Sequence, residues 1–367
     1  MAYSGGRSDV TTLAAPKTSF FRRHAMFIVV VVVAVAFPFL VGLLDGQSPA
    51  DVIASEGGNS KFLMGLAIEI FILAIFALSY DLLLGITGLL SFGHQMFFAV
   101  GAYGTGIMLQ SFEWSLFATL IGVIVAGVLQ ALLFGVVLPR VQGITFALVT
   151  LGIASMFWIV IQSPELGDWT GADVGLQGTS AFVPEWINTN DHRYRFYLLA
   201  LVVLVFFYLL YRRIVESPTG AVLVANRENE DRALMLGYNT FWFKLFALLV
   251  SSITAALAGM LWAMHQPIVT PTVASLGWMV AVLLMVLIGG IGTLSGAIVG
   301  AAVYRLLSYY LERWFGGGAS LMLGVAYVLL VLFVPYGIVG TWRLKKFQVT
   351  DGRKRLVAML TNRGGGG

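Results

Sequence analysis

Stretches of roughly 20 residues without a charge recur along this chain, and a run of that kind is what one helical crossing of a bilayer requires. From Ala25 to Leu44 there is no charged side chain at all. The apolar residues in Phe27–Leu44 are contiguous and do not alternate. A membrane β-strand would alternate over about 10 residues, so these runs read as helices. The expected fold class is an all-α polytopic membrane protein.

Composition closes off the other classes. Of the 367 residues, 59% are hydrophobic and 11% charged. A soluble domain has about 45–50% apolar and about 25% charged residues, so neither a soluble globule nor a disordered chain fits. Cysteine is absent, which removes disulfides and thiolate-bound metal. The net charge of +4 would suggest nucleic acid in a soluble chain. In a membrane chain basic residues collect in cytoplasmic loops, and no nucleic-acid partner is expected.

Hydropathy places about ten spans, near 25–44, 62–80, 89–109, 115–137, 142–162, 196–214, 243–264, 276–290, 294–313 and 320–340. The glycine-rich centre of 276–313 fits either a tight turn between two spans or a re-entrant stretch. Arg22 and Arg23 precede the first run, which exceeds the roughly 7–15 apolar residues of a signal peptide. It reads as a retained helix with the N-terminus inside. With both termini cytoplasmic, 17 of the 22 basic residues fall on the cytoplasmic side, and one span more or fewer would invert half of that pattern. The expected organisation is a cytoplasmic segment 1–24, a membrane domain 25–340 and a basic cytoplasmic tail 341–367, which can rest on anionic lipid.

Two connections are long. The outer one, 163–195, carries Trp169, Trp186 and several glycines. Its aromatics can rest at the membrane interface, or the loop is functional. The inner one, 212–241, alternates charge through Arg227, Glu228, Glu230, Asp231 and Arg232, then runs Ala233-Leu-Met-Leu to Gly237. A closing glycine is a helix C-terminal signal, so short surface helices are expected here.

Ten spans divide into two sets of five, and an odd number per half forces opposite orientations, so a 5+5 inverted repeat is expected. Glycine interruptions occur in both halves, at Gly85, Gly88 and Gly93, and at Gly289, Gly290, Gly292 and Gly296. Paired interruptions suit a transporter with a central pathway, and close helix packing through small residues is the alternative. The chain has no GxxxxGK[ST], HExxH or GxSxG sequence. No cofactor, metal or catalytic residue is expected, which disfavours a membrane enzyme. Few ionisable groups fall at membrane depth: Glu69, Asp81, His94 and Arg305. Such groups are functional candidates. Asp81, at a span end, can instead cap a helix or face water. Glu69 can be neutral in a helix contact, Arg305 can snorkel, and His94 can be a satisfied packing residue.

Three stretches together resemble the permease subunits of branched-chain amino acid ABC importers, the LivM/LivH type. They are Ala77 to His94, including Gly85, Gly88, Ser91 and Gly93; Ser217-Pro218-Thr-Gly220 through Asn226, Arg227, Glu230, Asp231 and Gly237 to Lys244; and Leu284 to Ala301. Thr170-Gly-Ala-Asp with Gly175-Leu-Gln-Gly178 is similar too. The resemblance implies a bacterial or archaeal cytoplasmic membrane protein that pairs with a second, homologous permease. It implies two separate ATP-binding subunits on the cytoplasmic face and an extracytoplasmic solute-binding protein. Glu69, Asp81, Gly85, Gly88, Ser91, Gly93, His94, Gly289, Gly290, Gly292 and Gly296 become pathway candidates. Ser217, Pro218, Gly220, Asn226, Arg227, Glu228, Glu230, Asp231, Ala233 and Gly237 become the ATPase-coupling set. Against the importer pattern Glu-Ala-Ala-x-x-x-Gly this chain has Asp231-Arg232-Ala233-Leu-Met-Leu-Gly237, with Arg in place of the first Ala. Related permeases carry urea or short amides, and an ion-coupled secondary carrier is the remaining alternative.

Overall fold

A computed structural model describes residues 20–55, 57–333 and 336–342. The expected segment 1–24 lies mostly, and the tail 341–367 almost wholly, outside the described residues. Helices dominate. Six are long and apolar enough to cross a membrane, and Val29–Leu44 and Leu276–Gly289 are shorter apolar helices. The protein is an all-α, multi-pass membrane protein.

The first helix, α1, spans Phe20–Leu44 with Pro38 inside it. Proline has no N–H, so the carbonyl four residues earlier, on Ala34, loses its helical partner. The hydroxyl of Tyr197 donates to that carbonyl at 2.5 Å, which meets the demand that backbone groups inside a bilayer be satisfied. A short capped helix, α2 (Pro49–Ala54), follows. Then α3 (Gly58–Asp81) continues without a break into a π-helical turn, Leu82–Thr87. Gly88, at φ +78°, ends it. The sequence suggested a new span from about 89, but residues 88–93 are non-helical and α4 begins at His94 and ends at Gln110.

The helices α5 (Leu116–Gly135), α6 (Ile144–Gln162), a short α7 (Gly167–Thr170) and α8 (Arg193–Val215) follow. Two short helices, α9 (Pro218–Glu228) and α10 (Glu230–Met235), lead into α11 (Thr240–His265). The series ends with α12 (Leu276–Gly289), α13 (Leu294–Phe315) and α14 (Ala319–Phe333).

Helices α3 and α11 form the centre, with 61% and 67% of their apolar windows buried, against 28% for α5, α6 and α8. Small residues let the central backbones close up. A Cβ on Gly101 of α4 would lie 2.6 Å from Cα of Ala256, and one on Gly259 would lie 2.8 Å from the amide of Ala102. Within lipid, where no hydrophobic force separates helix from tail, such contacts and interhelical hydrogen bonds hold helices together. Ser251 donates to the carbonyl of Ser79 at 2.5 Å, and Ser252 to that of Gly127 at 2.7 Å. The peripheral helices expose apolar side chains such as Phe117, Leu129, Ile144 and Met156, which suits contact with lipid or a partner.

The 163–195 connection is folded. Its Leu176–Gln177 pairs antiparallel with Ile268–Val269 after α11. Gln110 at the end of α4 donates to the carbonyl of Gln177 and to Thr179, each at 2.9 Å. The 276–313 region is a helical hairpin. Gly289 packs against Gly296, and Gly300 against Met285, the register of two antiparallel helices joined by the turn at 290–293.

Candidate functional site

The three segments singled out in the sequence meet at one junction. Oδ1 of Asp81 accepts the amide of Gly292 at 2.7 Å. Arg227 of α9 donates through Nη1 to the carbonyl of Gly85 in the π turn. Gly85 and Gly292 are in backbone contact; a Cβ on Gly292 would lie 2.9 Å from the carbonyl oxygen of Gly85. Gly88 also abuts Arg227, at 2.9 Å from its Cα to a would-be Cβ. The π turn, the α12–α13 turn and α9 therefore form one contact set.

Asp81 departs from the expectation of a cap or a water-facing side chain: it is fully buried. The reason is that the chain does not stop at Asp81 but carries on through the π turn, which folds the carboxylate against the hairpin turn. Gly290 (φ +113°) and Gly292 (φ +72°) shape that turn, and Thr293 closes it by donating its hydroxyl to the carbonyl of Gly290 at 2.6 Å. The two glycine interruptions touch, so they are contact partners. They follow the second span of one half and the third of the other, which are not equivalent places in a 5+5 repeat.

Beside the junction, Ser91 accepts the amide of Gly93 at 3.3 Å. Gly93 sits against the carbonyl of Thr150 and the ring of Phe134. His94 is buried, 2.8 Å from Ser79 Oγ, among Phe76, Tyr80 and Phe97. Its Nε2 meets Ser79, and its Nδ1 has no partner among the described residues.

The inner connection forms the helices that its pattern suggested. Ser217 caps α9 by accepting the amide of Gly220 at 3.3 Å, with Pro218 in the first turn, where a missing N–H does no harm. Gly220 fits close under Val215, 2.7 Å from its carbonyl carbon to a would-be Cβ. Asn229 caps α10 through the amide of Arg232 at 2.9 Å. Beyond the last turn Gly237 takes φ +88°. The amide of Gly237 bonds to Leu234 and that of Tyr238 to Ala233, the two bonds of a Schellman termination. Ala233 is buried and anchors α10, while Glu228, Asp231 and Arg232 are exposed. Leu234, Met235 and Leu236 are exposed at 50%, 86% and 70%, an apolar tip facing away from the helices. Glu230 pairs with Lys244 of α11 and accepts from Thr240 at 2.9 Å. Asn226 is buried with neither amide atom bonded to a described residue. It lines a cavity of about 90 Å³ with Thr87, Gly88, Arg227, Glu230 and Lys244.

Glu69 is elsewhere. It lies three turns up α3 from Asp81 and pairs with Arg305 of α13, while Gln266 donates to its other oxygen at 3.3 Å. Arg305 has an ion-pair partner within the protein. Sequence reading missed Arg193 and His265, which share a cavity with this pair. Arg193 looked like a loop residue, and only its place at the first position of a span could have signalled it.

The chain is similar to known transport permeases. Residues 62–338 match the family described as branched-chain amino acid transport system / permease component. The high-affinity branched-chain amino acid transport system permease protein LivM of Escherichia coli (strain K12) is 28% identical over 340 residues, covering 86% of this chain and 75% of that protein. The probable branched-chain amino acid transport permease protein LivH of Methanocaldococcus jannaschii is 24% identical over 309 residues, 80% of this chain and 97% of that one. No solved structure matches. With most of the chain matched, including all three segments of the junction, this protein belongs to the branched-chain amino acid transport permease family.

Proposed function

We propose that this chain is one permease subunit of an ATP-binding-cassette importer for branched-chain or related amino acids. It works beside a second, homologous permease, two ATP-binding subunits and an extracytoplasmic solute-binding protein. The membrane topology that goes with this reading has ten spans in a 5+5 inverted repeat, with both termini and the 212–241 connection cytoplasmic. The basic-residue bias supports the cytoplasmic side of the termini and of this connection.

The observation that carries the reading is the bond from Arg227 to the carbonyl of Gly85. A transporter driven by soluble ATPases must pass their motion into its membrane helices. Here α10 offers an exposed apolar tip, Leu234 to Leu236, of the kind that seats in a partner's groove. Behind the tip, Glu230 is tied to α11 through Lys244, and α9 is tied to the π turn of α3 through Arg227. A push on α10 reaches both central helices. The π turn is the yielding point in this reading, because its hydrogen bonding is already off the α-helical pattern.

An ion-coupled carrier would need carboxylates available to ions near mid-membrane. Asp81 is bonded to a backbone amide and Glu69 to Arg305 and Gln266, which argues against that alternative. The test is reconstitution of the permease pair with its ATPases and binding protein in liposomes. Labelled leucine should accumulate only with ATP and binding protein present. Accumulation driven by a Na⁺ or H⁺ gradient alone would overturn the assignment, and uptake of urea or a short amide with no leucine uptake would redirect its solute.

A further inference from the structure

A cavity of about 330 Å³ lies between α3, α8, α11 and α13, away from the Asp81 junction. That is within the usual size of small-molecule sites. Its polar wall consists of Glu69, Arg193, His265, Gln266, Arg305 and Asn190, and Phe62, Leu66 and Pro267 make an apolar side.

The charges do not balance. One carboxylate, Glu69, faces two guanidinium groups, Arg305 and Arg193. Glu69 is already taken, one oxygen by Arg305 and the other by Gln266. Arg193 donates through Nη1 to the backbone carbonyl of Lys61 at 3.0 Å, which holds its side chain in place. Its Nε is buried with no partner among the described residues, and so is Nδ1 of His265. The His265 ring is fixed by stacking on Phe196, centroids 5.7 Å apart. Gly65 lies beside Arg193 on the cavity wall, a would-be Cβ there being 3.4 Å from Nη1. Arg193 is half-buried and feels only the Glu69 charge that Arg305 already pairs with, and a guanidinium is shaped to receive a carboxylate.

We infer that this cavity is a solute subsite in which Arg193 receives a carboxylate and the Phe62, Leu66 and Pro267 wall receives an aliphatic side chain. Its amino-acid occupant rests on the proposed transport role, whereas its preference for a carboxylate rests on the cavity alone. Glu69, itself held by Gln266, keeps Arg305 to one side, so Arg193 is the group left for the incoming anion.

The test does not require transport. The chain has no native cysteine, and Asn190 is an exposed residue on the cavity wall. In the full-length Asn190→Cys permease, in phosphatidylcholine nanodiscs, the rate of maleimide labelling is followed with L-leucine, acetate or leucinol present. L-Leucine and acetate should slow labelling, and leucinol, which lacks the carboxylate, should not. Arg193→Gln should weaken protection about tenfold, as for loss of one hydrogen bond to a charged group, and Arg193→Lys should restore part of it. Equal protection by leucinol, or no protection by leucine or acetate, overturns the proposal. Protection by phosphatidylglycerol alone, without solute, overturns it in favour of a lipid-phosphate site. If Arg193→Gln fails to insert, the leucine, acetate and leucinol comparison in the parent decides. Failure of ATP-driven uptake with acetate protection intact would count against the importer reading and leave the subsite standing.

Discussion

The carboxylate of Asp81 takes the backbone amide of Gly292 at 2.7 Å, across 211 positions of sequence. One bond thus ties the end of the central helix α3 to the turn between α12 and α13. The Asp81 side chain is fully buried and Gly292 partly so. Asp81→Ala would leave the amide unsatisfied, at a cost of about 1–3 kcal/mol. Asp81→Asn keeps an acceptor oxygen and should lose less. In detergent, thermal unfolding followed by tryptophan fluorescence should rank wild type above Asn and Asn above Ala. An Ala variant as stable as wild type would mean that the bond contributes nothing.

Gly93 and Gly290 should both resist Leu, for different reasons. Gly93 has an ordinary backbone, φ −107°, and its obstacle is space: a Cβ would lie 2.9 Å from the Phe134 ring and strike the Thr150 carbonyl. Overpacking of this kind costs about 1–3 kcal/mol. Gly290 sits at φ +113° with the Tyr336 carbonyl 2.8 Å from a would-be Cβ, so it is strained as well as crowded. Gly290→Ala should therefore already lower the folded yield on size-exclusion chromatography, and Gly93→Leu should lower it more than Gly93→Ala. Full yield and full uptake from both Leu variants would make these glycines incidental.

Most of the helices were legible because uncharged length is a strong signal, and the helix end at Gly237 was legible because its chemistry is local. What the sequence could not disclose is contact. Asp81 reads as a span-end residue because the π turn that buries it has no sequence mark of its own. The two glycine interruptions read as symmetry mates, and only their three-dimensional placement reveals that they touch. Arg305 reads as able to snorkel because its partner, Glu69, is 236 positions away. Arg193 reads as a loop cation because its burial depends on α3 and α11, which no local pattern announces.

The proposed topology has a direct check. Single cysteines at Glu228 and Val174, both exposed and outside the long apolar helices, should label oppositely in intact cells with an impermeant maleimide. Position 174 should react from outside, and position 228 only after permeabilisation. The reverse pattern would turn the protein over in the membrane, and the α10 tip could not then meet cytoplasmic ATPases.

Gly237 offers the sharpest test of coupling. Its φ of +88° lets α10 end in a Schellman turn, with Tyr238 and Gly237 donating back to Ala233 and Leu234. A β-branched residue in that conformation is a clear outlier, so Gly237→Val should unwind the last turn. Asn visits the left-handed region readily, so Gly237→Asn should be nearly silent. Unwinding would reorient Leu234, Met235 and Leu236 while leaving the membrane helices in place, because nothing lies within 4 Å of a Cβ at position 237. The Val variant should insert normally yet recover less ATPase in pull-down and lose most ATP-driven uptake. Asp231→Lys, on the exposed first turn of α10, reverses a charge without touching the turn and should weaken the same recovery through the partner's surface alone. Normal ATPase recovery and uptake in both Gly237→Val and Asp231→Lys would remove α10 from the coupling path and leave the Arg227–Gly85 bond as a packing contact only.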